Sequence, residues 1–119
     1  MARVVAFVPD LLFGSNVVGA LRAAGHEPVL VSDADGVRRE LPSAEVLVVD
    51  LTADAADRLA QLEGIPRDAV KTLAFYSHVE VDVRAQAERA GFDLVVPRSR
   101  MAREGGILVT RLLERDGDD

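Results

Sequence analysis

The chain has 119 residues and a formal charge of −6, a field of the wrong sign for nonspecific binding to DNA or to anionic membranes. Aromatic residues make up only 4% with no Trp, which argues against stacking platforms for single-stranded nucleic acid. The absence of cysteine removes disulfides, thiolate nucleophiles and Cys-type zinc or iron–sulfur sites together.

Taken in order, short apolar runs alternate with helical patterns. Val4-Val5-Ala6-Phe7-Val8 reads as a strand that Pro9 ends. Residues 12–24 carry a helical spacing, with Leu12, Val17, Leu21 and Ala24 inward and Arg22 outside, and Gly25-His26 closes that helix. Pro28 to Val31 is a second strand, followed by Ser32-Asp33-Ala34-Asp35-Gly36 and a short helix over 36–40. Val46-Leu47-Val48-Val49-Asp50 is the most telling stretch. Four apolar residues, three of them Val, suit a strand covered on both faces in a parallel sheet. Asp50 then stands at its carboxyl end, where open α/β sheets place their chemistry.

Thr52 is the expected N-cap of a helix over 53–63, which Gly64-Ile65-Pro66 stops. Residues 72–76 form a fourth strand and residues 81–90 a fourth helix, ended by Gly91 as the first is by Gly25. Leu94-Val95-Val96-Pro97 is the fifth strand. A last helix covers 101–115, with Ile107, Leu108 and Leu112 inward and Arg111 and Arg115 outward, weakened by Gly105-Gly106. Residues 116–119 are expected to fray. No apolar run reaches the roughly 20 residues of a membrane span. Met1-Ala2-Arg3 runs straight into a strand with no signal-peptide core, so a cytoplasmic location is expected.

The alternation predicts one α/β domain over 1–119 of flavodoxin-like (βα)5 type. Its five-stranded parallel sheet has the order 2-1-3-4-5 and helices on both faces. In that order Asp10 and Asp50 share one crevice, and Tyr76, Ser77, His78, Arg98, Ser99 and Arg100 lie at the same end.

The chain resembles a receiver domain of two-component response regulators over nearly its full length. Four features carry the likeness: the strand into Asp10, the helix ending Ala23-Ala24-Gly25-His26, Leu47-Val48-Val49-Asp50-Leu51, and Ala90-Gly91-Phe92-Asp93. The resemblance implies that Asp50 is the position of the phosphoacceptor. Receivers carry an adjacent acidic pair that helps to hold Mg²⁺ where this chain has Val8-Pro9, so only Asp10 and Asp50 remain as weak metal candidates. The hydroxyl expected after the fourth strand falls near Ser77, and the lysine expected after the fifth aligns with Arg98, a planar fork in place of a compact ammonium.

The expected function is a receiver-like signalling and protein-interaction module with a degenerate pocket, not an enzyme, working without Mg²⁺-dependent phosphorylation. Mg²⁺ enters only if Asp50 is phosphorylated, which is the first alternative. The second is a small-anion or nucleotide-binding domain using Ser77, His78 and Arg98. Arg98, Ser99 and Arg100 are the anion-binding candidates, set against an internal ion pair from Arg98 to Asp50 or Asp10. Asp10 alternatively starts the first helix, His78 lines the crevice mouth, and His26 is structural. Gly14-Ser15-Asn16 and Gly19 fail the spacing of phosphate-binding loops. The partner is expected to be a protein rather than nucleic acid or membrane. The resemblance also implies a homodimer through the face of the fourth helix, fifth strand and fifth helix.

Overall fold

The computed structural model describes residues 2–77 and 81–115. The expectation of a frayed tail at 116–119 lies outside them, as does His78. Five strands, β1 (Arg3–Phe7), β2 (Glu27–Val31), β3 (Val46–Asp50), β4 (Lys71–Tyr76) and β5 (Leu94–Pro97), alternate with five helices. The helices are α1 (Leu11–Ala23), α2 (Ala34–Glu40), α3 (Ala55–Leu62), α4 (Val81–Arg89) and α5 (Arg98–Glu114). A 3₁₀ turn, Leu41–Ser43, leads from α2 toward β3.

All strand pairs are parallel and the order is β2-β1-β3-β4-β5, as the alternation predicts. Parallel neighbours require crossovers, and the helices that make them bury β3 on both sides. Every residue of β3 is buried, Asp50 included.

Side-chain alternation along the strands divides the core in two. Val4, Ala6, Val46, Val48, Leu73 and Phe75 meet Phe13, Val17 and Leu21 of α1 and Leu108 and Leu112 of α5. Val5, Phe7, Leu47, Val49, Ala74 and Tyr76 meet Val37, Leu62, Val83 and Ala87 of the other three helices. Strands β1, β3 and β4 therefore bury both of their faces, which is why their runs read as continuously apolar.

Two helices end as the glycines predict. Gly25 and Gly91 adopt φ of 89° and 91°, and the residue after each donates its N–H back across the last turn, His26 to Leu21 and Phe92 to Ala87. This left-handed step costs glycine little and turns the chain directly into β2 and toward β5.

Several boundaries and faces differ from the sequence reading. Helix α5 starts at Arg98 rather than 101, because Pro97 is extended and supplies the N-cap residue. Leu12 and Ala24 are exposed although the spacing places them inward; the buried stripe of α1 runs through Phe13, Gly14, Val17 and Leu21 instead. Ile107 is also exposed, because its neighbours Gly105 and Gly106 face the core.

The glycine pair has a steric reason. A Cβ on Gly106 would lie 2.5 Å from Ala24 Cβ and 2.8 Å from the Ala20 carbonyl oxygen, so α5 presses its backbone against α1. His26 fastens the same two helices. It is 7% exposed, its Nδ1 accepts from the Ala2 amide at 3.3 Å, and its Nε2 lies 2.9 Å from Thr110 Oγ1. Thr110 in turn donates to the Gly106 carbonyl at 3.1 Å. Since Nδ1 accepts, Nε2 carries the proton and every member of the chain is satisfied. His26 is structural, as expected, but through burial rather than through the helix dipole.

Gly106→Ala should lower unfolding free energy by about 1–2 kcal/mol in urea titration, overpacking outweighing the roughly 1 kcal/mol gain in helix propensity. Gly19→Ala, whose Cβ meets nothing within 4 Å, should instead be neutral or stabilising. His26→Ala should cost about 1–3 kcal/mol in the same titration, because it strands the buried Ala2 amide.

Candidate functional site

The carboxyl ends of β1, β3, β4 and β5 set the site. Asp50 follows four buried apolar residues and is paired with Phe75 of β4, so its carboxylate emerges at the rim with 4% of the residue exposed. Its Oδ1 accepts from the Thr52 backbone N–H at 2.7 Å and from the Thr52 hydroxyl at 2.5 Å. These are the short, charge-assisted bonds of a carboxylate that turns back on its own loop. Thr52 therefore does not cap a helix from residue 53. The residue preceding α3 is Asp54, in the left-handed region at φ 53°, with no side-chain cap.

Arg58 of α3 completes this corner. Its Nη1 donates to the Asp50 carbonyl at 2.8 Å, and its guanidinium lies 5.2 Å from the Phe7 ring centroid. Neither Thr52 nor Arg58 stands out as a site residue in the sequence. The Asp-x-Thr spacing is a recognisable turn signal for the first. Nothing local marks the second, since only the fold brings α3 beside Asp50.

Asp10 is the N-cap of α1, its Oδ1 accepting from the Phe13 N–H at 3.0 Å. That is the helix-start role rather than a ligand role. Val8 is fully buried and Pro9 is partly so, and neither side chain contains an oxygen. Among the described residues no group of three or more His, Asp or Glu side chains is placed to hold a metal ion.

Arg98 departs from the ion pair expected of it. Its guanidinium carbon lies 4.4 Å above the Phe13 ring, and Phe13 in turn contacts Phe75 at 5.2 Å between centroids, tilted by 49°. Among the described residues neither Asp50 nor Asp10 forms an ion pair with it. Thr52 and the Phe13 amide each hold Oδ1 of one carboxylate in place, while a weakly hydrated guanidinium gains on an aromatic face. Arg100 pairs instead with Glu104 one turn along α5, Nε to Oε2 at 3.4 Å, and Ser99 is exposed. Ser77 follows β4 at the rim, half-buried. The sheet thus gathers Asp10, Asp50, Ser77 and Arg98 at one end, but direct bonds do not join them. His78 lies outside the described residues.

Thr52→Val should cost about 1–2 kcal/mol in urea unfolding, the usual worth of a hydroxyl bond to a charged acceptor, while Thr52→Ser should keep most of it.

No family model matches this chain, and no curated protein does. Solved structures do. NtrX from Brucella abortus superposes with a TM-score of 0.81 at 20% identity, covering 96% of this chain and 26% of that one. This chain thus spans about a quarter of that NtrX chain. The isolated NtrX receiver domain gives a TM-score of 0.78 at 20% identity and covers 94% and 98% of the two chains. A response regulator receiver domain protein from Clostridium thermocellum gives 0.76 at 15% identity, with 98% of each chain covered. The chain therefore has the fold of response-regulator receiver domains, with five parallel strands in the order 2-1-3-4-5 and Asp50 at the end of the third.

Proposed function

We propose that this chain is a receiver-type signalling module that works through protein contact and without Mg²⁺-dependent phosphorylation of Asp50. The observation that carries this reading is the state of the carboxylates at the sheet end. Asp50 is bonded twice to Thr52 through Oδ1, Asp10 caps the first turn of α1 through its own Oδ1, and positions 8 and 9 offer no side-chain oxygen. Mg²⁺ wants near-octahedral oxygen ligation before it can neutralise a transferring phosphoryl group. The residues present do not fit that demand. The cation on the fifth strand's end supports the same reading, since Arg98 lies against Phe13.

In this reading the fold is a presentation device and the partner is a protein. A chain of charge −6 is poorly suited to a nucleic-acid partner. The position of Asp50 at the end of β3 keeps one alternative testable, a phosphoacceptor that still cycles. Incubation with acetyl phosphate and Mg²⁺, followed by intact-mass measurement, should leave the chain unmodified. A labile phosphoryl adduct that Asp50→Ala abolishes would overturn the proposal.

A further inference from the structure

Among the described residues only three large apolar side chains stand exposed: Leu11 at 72%, Leu12 at 78% and Ile107 at 52%. Two of them are adjacent at the start of α1. The helical repeat of 100° per residue gathers Leu12, Ser15, Asn16, Gly19 and Ala23 on one solvent-facing stripe. Leu11 and Arg22 lie on the flank of that stripe nearer β2. There a groove of about 350 Å³ runs between α1 and the sheet edge, lined by Ser15, Val18, Gly19, Arg22, Pro28 and Leu30. Strand β2 is the edge of the sheet, and Pro28 lacks the N–H that would invite another strand.

The stripe is self-complementary end to end. Its first turn is bulky and apolar and follows an exposed carboxylate, Asp10. Its last turns are small, at Gly19 and Ala23, and carry Arg22, an exposed cation with no ion pair among the described residues. An antiparallel copy related by a twofold axis between Asn16 and Gly19 sets Leu12 of one chain against Arg22 and Ala23 of the other. The same operation keeps the β2 flanks on one side, so Leu11 enters the partner's groove. It also brings each Asp10 beside the partner's Arg22 and opposes the two helix dipoles. Gly19 at the centre allows close approach, its missing Cβ leaving open space.

We propose that α1 is a homodimer interface, with a second copy of this chain packed antiparallel across Leu11, Leu12, Gly19 and Arg22. It is a different face from α4–β5–α5, and it does not depend on the phosphorylation state of Asp50.

One helix face is smaller than a standard interface, so the dimer is weak and the measurement runs to about 1 mM chain. Sedimentation equilibrium should show a reversible dimer that Gly19→Arg abolishes. That substitution extends into open space, so its unfolding midpoint should equal or exceed that of the wild type and exclude misfolding as the cause. Arg22→Glu should weaken association about tenfold at low salt, as two symmetric charge pairs turn repulsive. The chain has no cysteine, so single-cysteine variants report geometry directly. Asn16→Cys should form a disulfide-linked dimer on mild oxidation and Ile107→Cys should not. A wild-type chain that stays monomeric at about 1 mM overturns the proposal. So does a Gly19→Arg dimer as tight as the wild type, or cross-linking that favours Ile107→Cys.

Discussion

The rest of the structure depends on β3 being buried along its whole length. A strand closed in by β1 and β4 and covered by helices on both faces can release a polar side chain only at its end. Asp50 is that side chain. A carboxylate leaving a low-dielectric sheet needs donors at once, and Thr52, two residues on, supplies two of them. Asp50 thus stands at the end of the third strand with one oxygen of its carboxylate held by its own loop.

The fate of Arg98 follows from the same economy of partners. With one oxygen of each acid held by Thr52 and by the start of α1, the guanidinium at the first turn of α5 pairs with neither. It sits moreover at the positive end of a helix dipole. Spreading that charge over the Phe13 face relieves part of the conflict and ties α5 to the Phe13–Phe75 pair beneath. What unites the rim of this sheet is an aromatic stack rather than an ion pair.

The fold was legible because its signals are redundant. β-Branched runs, helix-ending glycines and strict alternation each point to the same topology, so errors of a few residues at helix starts leave it unchanged. The misjudged faces have particular causes. Leu12, Ala24 and Ile107 read as inward because helical spacing alone does not say which of two adjacent stripes meets the sheet. In α5 the answer was written in Gly105 and Gly106, which look like weak points in a sequence and act as contact points in the fold. The site was less legible. The gathering of Asp10, Asp50, Ser77 and Arg98 at one end of the sheet follows from the topology, but which of them bond depends on side-chain directions that spacing does not encode. Arg58 reaches Asp50 only through the placement of α3.

The contact at Gly106 has a mechanical consequence. With the α5 backbone seated directly on Ala20 and Ala24, and His26 and Thr110 bonded across the seam, sliding α5 along α1 drives carbonyl against α-carbon. Packed layers of this kind shift between discrete arrangements rather than deforming smoothly. The two helices are consequently held in a fixed register on one side of the sheet.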